Sequence, residues 1–330
     1  MASGILFERV AVIGTGLIGG SLALAAKEAG IAATVVGVAR TDATRRCAVQ
    51  HGVVDEATAD AREAAQSAAL VYIATPLGST EAVLRAIAPA LAPDCLVTDA
   101  GSAKTGVVRS AQAALAFPGM FVGGHPMAGA EKRGVQHARA DLFRGRAYFL
   151  TPTEDTSQEA LNRAKALVAG VGAEPLIASP EEHDDIVASI SHVPHLAAAA
   201  LMSLVARSGA DAPRDDVTSL RLRAAAGGFR DMTRVAASPA AMWREILQAN
   251  REAVLHWLEA YAGELQQIST MIRGRDWAAL EQLLAAASEA RQRLEIRGQT
   301  TRFGACGSST SPRERMTKRH LPPDRSGRIS

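Results

Sequence analysis

Two short polar stretches carry the residues best suited to chemistry. His125 lies in GGHPMAGAEKRG (residues 123–134), where it stands between two glycines and a proline in a stretch too poor in apolar residues to be a core element. Ser102 lies in TDAGSAK (98–104). Taken alone, Ser102 fits a helix N-cap and His125 an ordinary loop residue. If both stretches follow strands of one mostly parallel sheet, they meet beyond the carboxyl ends of those strands, and we expect them to share a site.

A glycine motif near the N-terminus is typical of a dinucleotide-binding loop. The apolar run VAVIG leads directly into GTGLIGG, so Gly14, Gly16 and Gly19 form G-x-G-x-x-G at a strand-to-helix turn. The first glycine allows a tight turn, the second lets the backbone approach a pyrophosphate, and the third lets the helix pack on the strand. Leu17 and Ile18, between the second and third glycines, complete the predicted cofactor-binding loop. A purely structural turn is the alternative.

The residues after the second strand leave the choice of nucleotide open. An acidic residue there would bind a free ribose 2′-hydroxyl, but the sequence reads GVARTDATRR, with Ala39 and Arg40 in that place and Arg45 and Arg46 close behind. A guanidinium suits a 2′-phosphate, which indicates NADP. If Arg40 instead stacks on the adenine and the arginines face solvent, NAD is usable. The predicted cofactor is NADP or NAD, with NADP slightly favoured.

The second half of the chain offers groups suited to binding a carboxylate. In SISHVPHLAAA, His192 and His195 are three residues apart and so face the same way on a helix. In AAGGFRDMTR, Arg230 follows a glycine pair, with Arg234 one turn later. A guanidinium that follows such a flexible glycine pair can bind a carboxylate through two parallel hydrogen bonds. Alternatively, the histidines are satisfied core groups and Arg230 pairs with Asp231.

The acidic cluster EEHDD (181–185) resembles a set of metal ligands, but its position favours helix capping. The preceding SPEE (179–182) combines a serine N-cap, a proline at the first helical position and a glutamate at the third. Acidic residues in a first turn also suit the helix dipole. The sequence therefore predicts the start of a helix here and no metal site.

The elements that must position these residues alternate through the first half of the chain. Apolar, β-rich runs separated by alanine-rich helical stretches are VAVIG at 10, TVVGV at 34, ALVYIA at 69, CLVTDA at 95, MFVGG at 120 and AYFLTP at 147. This order predicts repeated βα units around a mostly parallel sheet, completed by a helix over 158–169 and a strand over 174–177. Beyond residue 178 the strand signals stop. The predicted fold is an α/β domain followed by an all-α domain.

The helical half predicts a homodimer. From Ala241, apolar residues recur at helical spacing over about thirty residues, which predicts a helix longer than the usual globular one. They are Ile246, Val254, Trp257, Tyr261, Leu265, Ile268 and Ile272. A shorter helix is predicted from Trp277 to about Leu294. Long amphipathic helices in a small helical domain commonly pack against a second copy of themselves.

Composition sets the outer limits of these predictions. The 330 residues are 48% hydrophobic and 21% charged, as expected for a soluble chain of two domains, 1–178 and 179–296. Residues 297–330 carry eight Lys/Arg against two Asp/Glu and predict a disordered basic tail, with no aromatic platform for a nucleic acid. The most apolar run, 196–206, is too short for a membrane span. Three cysteines without metal spacing favour the cytoplasm.

Taken in order, the motifs GTGLIGGS, TPLGST, TDAGSAKT, GGHPMAGAEKRG, SHVPH and GGFRDMTRVA resemble those of the prephenate/arogenate dehydrogenase family of tyrosine biosynthesis. The resemblance covers about residues 8–290. It implies a Rossmann-like domain, a helical dimerisation domain and an active site between them. It also implies oxidative decarboxylation of prephenate to 4-hydroxyphenylpyruvate, or of arogenate to tyrosine.

The resemblance implies roles for the residues of the first half. His125 would accept the proton of the ring 4-hydroxyl as hydride leaves the same carbon for the nicotinamide, as suits a neutral imidazole. Ser102 would lie near that hydroxyl and the nicotinamide, and Glu131 matches an acid linked to gating of the pocket. Thr75 and Pro76, in TPLGST, would lie on the cofactor side.

The resemblance also implies a substrate side in the second half. Arg230 would grip a substrate carboxylate, with Arg234 nearby. His192 matches the first histidine of an H-x-P motif, and His195 matches a second one found in prephenate users, which favours prephenate. Two rival functions are a β-hydroxyacid-dehydrogenase-like enzyme, which would need a catalytic lysine or other substrate loops, and a non-catalytic NAD(P) sensor, which has no use for Ser102, His125 and Arg230 together.

Overall fold

The structure is a computed structural model that describes residues 4–130, 132, 134–207 and 217–303. It divides into two compact units, Met1–Asp276 and Trp277–Ser330. The first unit contains an eight-stranded sheet. Its strands are β1 (Phe7–Ile13), β2 (Ala32–Val38), β3 (Glu56–Thr58), β4 (Leu70–Ile73), β5 (Leu96–Asp99), β6 (Phe121–Pro126), β7 (Ala147–Thr151) and β8 (Glu174–Ile177).

The sheet has the order β3-β2-β1-β4-β5-β6-β7-β8 and is parallel except between β6 and β7. This confirms the predicted mostly parallel α/β fold. The three-residue β3 escaped prediction because Glu56–Thr58 is not an apolar run. The strand order reverses between β1 and β4, and the carboxyl ends of the strands around such a point border the ligand crevice of doubly wound sheets.

Helices cover both faces of the sheet, which is why its strands read as continuous apolar runs. Val10 and Val12 enter one buried cluster and Ala11 and Ile13 the other. The first cluster is completed by helices α1 (Leu17–Glu28), α2 (Asp42–Gln50) and α6 (Gln158–Gly170). The second is completed by α3 (Ala61–Ala65), α4 (Thr80–Ile87) and α5 (Thr105–Ala114).

After the sheet comes a continuous helical segment, α7 (Pro180–Val187), a π-helical turn (Ala188–His192) and α8 (Val193–Arg207). The wider π turn stands just before Pro194, which lacks an N–H and whose ring crowds the preceding helical turn. By length and composition this 28-residue segment is apolar enough to cross a membrane, with a mean hydropathy of 1.4 in its best window. It carries the buried polar residues His183, Asp184, His192 and His195, and 33% of that window is buried inside the protein.

The remaining helices of the first unit are α9 (Val217–Arg223), α10 (Gly227–Thr233), α11 (Ala240–Ala249) and α12 (Arg251–Gly274). The prediction of one unbroken helix from Ala241 was wrong, because Asn250 leaves helical geometry (φ −117°, ψ 35°). Its side-chain amide donates to the backbone oxygen of Asp184 at 2.6 Å. A tertiary hydrogen bond of this kind competes with helix continuation at asparagine.

The second unit is described over one helix, α13 (Trp277–Phe303). The helix starts at the predicted residue and continues past the predicted end near Leu294, since the intervening sequence holds no proline and a single glycine. Residues 304–330, most of the predicted tail, lie outside the described residues.

Candidate active site

The three glycines of the loop between β1 and α1 differ in the way the predicted nucleotide motif requires. Gly14 has φ +100°, and a Cβ there would lie 2.6 Å from the Ala74 oxygen. A Cβ on Gly19 would lie 2.1 Å from the Gly14 oxygen, so helix and strand touch there. A Cβ on Gly16 would meet nothing within 4 Å. The loop is therefore tight at both ends and open in the middle, where a pyrophosphate would approach.

Polar groups around this loop fit a dinucleotide. Helix α1 has Gly16 as its N-cap and no side-chain cap, so the first N–H groups, including those of Leu17 and Ile18, are open to an anion. In the loop after β4, the Thr75 hydroxyl oxygen is buried and has no hydrogen-bond partner among the described residues. Pro76 follows as the N-cap of a 3₁₀ turn (Leu77–Ser79). Buried hydroxyls are normally hydrogen-bonded, so Thr75 suits a bound group.

The arginines after β2 are unequally engaged. Arg45 donates to the backbone oxygens of Ala39 (2.8 Å) and Arg40 (3.1 Å) and pairs with Asp42 at 3.2 Å. Arg46 pairs with the same carboxylate. Arg40 is exposed, and its guanidinium makes no hydrogen bond or ion pair within the described part of the chain. Arg40 is thus the guanidinium most available to a nucleotide.

Ser102 and His125 stand at the carboxyl ends of adjacent parallel strands, β5 and β6. The N-cap of α5 is Lys104, so Ser102 is not the helix cap it resembled. Its hydroxyl makes no hydrogen bond with any described residue. His125 belongs to β6 and pairs with Phe149 of β7, so it is not an ordinary loop residue.

A chain of hydrogen bonds leads from His125 into the protein. His125 Nδ1 lies 2.8 Å from His183 Nε2, and His183 Nδ1 lies 2.8 Å from a carboxylate oxygen of Asp184. That carboxylate also accepts the backbone N–H of Lys104 at 2.7 Å and of Thr105 at 2.9 Å. His183 is fully buried, and Asp184 is 5% exposed. The first turn of α7 is therefore joined to both β6 and α5.

The interpretation of EEHDD as capping residues was right for one part of the cluster and wrong for another. Ser179 and Glu182 form a capping box. His183 and Asp184, however, face inward with Pro180 and Val187. The spacing of these four residues is that of a core-facing helical stripe, and this signal could have identified the buried His–Asp pair. Among the described residues no acidic or histidine cluster is arranged to hold a metal.

A buried ion pair holds the strand that carries His125. Lys104 Nζ donates to the Asp99 carboxylate and, at 2.8 Å, to the Gly124 oxygen. Asp99 in turn accepts the Gly124 N–H at 3.0 Å. Both charged side chains are almost completely buried. Sequence reasoning missed this pair, although it fixes the backbone directly before His125.

The electrostatics keep these histidines neutral. Burial, followed by the charges of His183, Lys104 and His192, holds the pKa of His125 well below its usual range. Burial also lowers the pKa of His183, although Asp184 opposes the shift. Burial would raise the pKa of Asp184, but its hydrogen bonds from His183, Thr105 and Lys104 leave that pKa lowered. The arrangement is a neutral imidazole connected to a buried carboxylate.

The two histidines of SHVPH lie beside this network, against Trp243 of α11. His192 is buried, its Nδ1 is 3.3 Å from the Asn250 amide nitrogen, and burial lowers its pKa to about 4. His195 stacks on Trp243, and its Nδ1 is buried with no partner among the described residues. His195 is therefore not the satisfied core group that was the alternative. Trp243 and Asn250 were not singled out from the sequence.

The remaining predicted substrate residues are Arg230, Arg234 and Glu131. Arg230, on α10, is exposed and donates through Nε to the Ala225 oxygen at 3.0 Å. Within the described residues it forms no ion pair with Asp231, so the alternative of neighbour pairing does not hold. Arg234 begins the 3₁₀ turn that follows α10 and is also exposed. Glu131 lies outside the described residues.

Comparison with protein-family models finds two matches. Residues 22–176 match the model "Prephenate dehydrogenase, nucleotide-binding domain", and residues 179–286 match "Prephenate dehydrogenase, dimerization domain". The prephenate dehydrogenase of Bacillus subtilis (strain 168) is 37% identical over 291 residues, which are 88% of this chain and 77% of that protein.

Two solved structures share the fold. Arogenate dehydrogenase of Synechocystis is 33% identical, with a TM-score of 0.75 over 87% of this chain and 99% of that one. Prephenate dehydrogenase of Aquifex aeolicus, in complex with hydroxyphenyl propionate and NAD+, is 30% identical, with a TM-score of 0.77 over 88% and 98%. These findings confirm the predicted family, enzyme class and fold. The chain belongs to the prephenate dehydrogenase family of oxidoreductases.

Proposed function

We propose that this protein catalyses the NAD(P)-dependent oxidative decarboxylation of prephenate to 4-hydroxyphenylpyruvate in tyrosine biosynthesis. The observation that carries the proposal is the position of His125, at the carboxyl end of β6 and connected through His183 to the buried Asp184. The crevice beyond these strand ends is also where the open glycine loop presents its backbone. A base and a nucleotide site on one edge of the sheet are what the reaction requires.

His125 acts as the general base. Its depressed pKa keeps the imidazole unprotonated at neutral pH, ready to accept the proton of the ring 4-hydroxyl. A bound nicotinamide supplies the hydride acceptor for the carbon that bears this hydroxyl. Loss of the ring carboxylate as CO2 needs no further catalyst, because its electrons enter a ring that becomes aromatic. The Ser102 hydroxyl, unpaired within the described residues, is free to orient the same hydroxyl.

The substrate side is formed by residues of the helical half. The terminal guanidinium nitrogens of Arg230 make no hydrogen bond or ion pair with the described residues, so Arg230 is expected to bind a substrate carboxylate, with Arg234 in the following turn and Glu131 as a gate. His192, at the end of the π-helical turn, and His195, on α8, are expected to line the substrate pocket. Trp243 Nε1 is buried without a partner among the described residues and can only donate. A donor suits the keto oxygen of prephenate better than the ammonium of arogenate, which supports prephenate; arogenate or dual specificity is the alternative.

The cofactor is NADP or NAD, with NADP favoured slightly. No acidic residue occupies the end of β2, and the nearest carboxylate, Asp42, is already paired with Arg45 and Arg46. Arg40 has no such partner in the described part of the chain. It is therefore the residue we expect to contact a 2′-phosphate.

The enzyme is proposed to act as a cytoplasmic homodimer, with no nucleic-acid or membrane partner. Along α12, the predicted apolar residues Leu265 and Ile272 are each 49% exposed in the single chain. A second copy would cover them. Cys47 and Cys95 are free thiols, as suits a reducing compartment. Light scattering should give twice the chain mass of 34.5 kDa, and a monomeric mass would contradict the dimer.

One assay tests the proposed activity. Purified protein is mixed with prephenate or arogenate and with NAD+ or NADP+, and the absorbance of the reduced nicotinamide is followed. We expect turnover with prephenate and release of CO2. No turnover with any pairing would reject the enzyme assignment and favour the non-catalytic sensor.

A further inference from the structure

We propose that His183 and Asp184 are positioning residues that fix the tautomer of His125, leaving its Nε2 lone pair free for the substrate proton. The inference rests on the proposed function, in which His125 is the general base. It assigns a purpose to the two buried polar residues of α7, which contact no reacting atom themselves.

The Asp184 carboxylate can only accept hydrogen bonds in this setting. The backbone N–H groups of Lys104 and Thr105 point at its two oxygens, at 2.7 and 2.9 Å, and an N–H can only donate. A carboxylate that accepts several N–H bonds stays ionised. His183 Nδ1, 2.8 Å from the same carboxylate, must therefore carry its hydrogen and donate it.

The donor at His183 Nδ1 determines which nitrogen of His125 carries hydrogen. A neutral imidazole has one N–H and one lone pair, so His183 presents a lone pair at Nε2. The atom facing that lone pair at 2.8 Å is His125 Nδ1, which must donate. The lone pair of a neutral His125 is then at Nε2, on the opposite side of the ring. The reverse polarity would require His183 to be doubly protonated.

The surroundings oppose double protonation of His183. The groups that face it are the buried Lys104–Asp99 pair, the Asp184 carboxylate, and the rings of His125 and Phe149. The Phe149 ring lies edge-on at 5.1 Å and fixes the plane of the imidazole without offering an acceptor. In these surroundings a single proton on His183 Nδ1 is enough to donate to Asp184. Burial disfavours a second proton on His183 Nε2, because that proton would give the ring a positive charge.

The same geometry supports the protonated state during turnover. After His125 Nε2 receives the hydroxyl proton, its Nδ1–H still donates to His183, and the imidazolium lies two hydrogen bonds away from the Asp184 charge. No proton has to leave the pair until product departs and His125 Nε2 returns its proton to solvent. Asp184 also holds the N-terminus of α5, which follows directly on the Ser102 loop, so one carboxylate orders both parts of the site.

A direct test is nitrogen NMR of the free wild-type protein labelled with ¹⁵N-histidine, which reads which ring nitrogen carries hydrogen. We expect His125 and His183 both to be protonated at Nδ1 at neutral pH. Protonation of His125 at Nε2 would overturn the inference. Because the measurement needs no turnover, it is independent of the proposed function, which fails only if wild-type protein oxidises neither prephenate nor arogenate.

Asp184→Asn tests the same polarity kinetically. Lys104 N–H and His183 Nδ1 point at one carboxylate oxygen and Thr105 N–H at the other, so an amide in either orientation sets its NH2 group against a backbone N–H and removes the negative charge to which His183 donates. His183 is then no longer held firmly in one tautomer, and we expect kcat to fall by about 10²-fold or more with little change in KM. Asp185→Asn, the same change at the exposed neighbour, should keep wild-type kcat. Equal kcat values for the two variants, with Asp184→Asn folded by circular dichroism, would contradict the inference.

A pair of substitutions at His183 separates polarity from packing. In His183→Gln the amide oxygen can take the place of the Nε2 lone pair and accept the hydrogen bond from His125. In His183→Asn the shorter amide can reach Asp184 but not His125. We expect the Gln variant to keep kcat within about tenfold of wild type and the Asn variant to lose about 10²-fold or more. A merely structural role predicts parallel losses, and such losses would overturn the inference.

Discussion

The imidazole of His195 and the indole of Trp243 stack face to face, with ring centroids 3.5 Å apart and ring planes within 6°. The stack ties α8 to α11, and both rings carry a buried nitrogen without a hydrogen-bond partner among the described residues. An unmet buried donor costs about 1–3 kcal/mol. Under the proposed function, we expect the substrate to supply partners for both nitrogens.

Trp243→Phe tests this inference, because it keeps an aromatic ring against His195 and removes the N–H. Losing one neutral hydrogen bond should raise KM for prephenate about three- to tenfold, with kcat little changed. The matched control is Trp257→Phe, which removes an indole N–H that donates to Asp185 at 2.8 Å. Steady-state kinetics of the two variants give the comparison, and an unchanged KM in Trp243→Phe would remove Trp243 from the substrate pocket.

His125→Asn should mainly lower kcat, whereas Arg230→Ala should mainly raise KM. Asparagine cannot accept the hydroxyl proton, so kcat should fall by about 10²-fold or more. Arg230→Ala removes the guanidinium that binds the substrate carboxylate and should mainly raise KM. Arg230→Lys should recover only part of the loss, because an ammonium group cannot form the two parallel hydrogen bonds of a guanidinium. Small and equal effects on both parameters would be inconsistent with these roles.

The sequence predicted the parts of the site that depend on local order. The strands of the sheet are continuous apolar runs because helices bury both of its faces, and the Gly14–Gly19 turn is encoded by adjacent residues. The His125–His183–Asp184 chain depends instead on partners 58 and 80 residues apart, on β6 and α5. Asn250 breaks the predicted long helix for the same reason, since its amide partner is 66 residues away. Local spacing can indicate that His183 and Asp184 face the core, but it does not identify their distant partners.

The depressed pKa of His125 predicts activity in mild acid. The base works when neutral, and its pKa lies well below the ordinary value of 6.5, chiefly because of burial. The neutral fraction therefore stays high as pH falls through 6.5 and is lost only as pH approaches the lowered pKa. A profile of kcat/KM against pH should be flat across pH 6.5 and decline only at distinctly lower pH. An acid limb centred at or above 6.5 would contradict the predicted environment.

Arg40→Ser should alter cofactor preference, because Arg40 is the unpaired guanidinium at the end of β2. Removing a guanidinium that binds the 2′-phosphate should raise KM for NADP+ about tenfold or more and leave KM for NAD+ nearly unchanged. Arg46→Ser, which removes a guanidinium already paired with Asp42, is the control. Initial rates with each cofactor decide the matter, and a wild-type enzyme that strongly prefers NAD+ would refute the proposed preference for NADP.

Two glycine-to-alanine variants should separate folding from cofactor binding within a single turn. The Cβ of Gly19→Ala would lie 2.1 Å from the backbone oxygen of Gly14, and neither backbone can yield without moving α1 away from β1. Overpacking of a core contact typically costs about 1–3 kcal/mol, so the melting temperature should fall.

The methyl of Gly16→Ala meets nothing within 4 Å in the protein, so stability should be unchanged or slightly higher, since alanine restricts the unfolded chain. That methyl does occupy the open side of the loop, where the pyrophosphate would approach, and KM for the cofactor should rise. Thermal melts and cofactor titrations of the two variants should therefore show opposite patterns, and a Gly16→Ala protein that binds cofactor normally would place the pyrophosphate elsewhere.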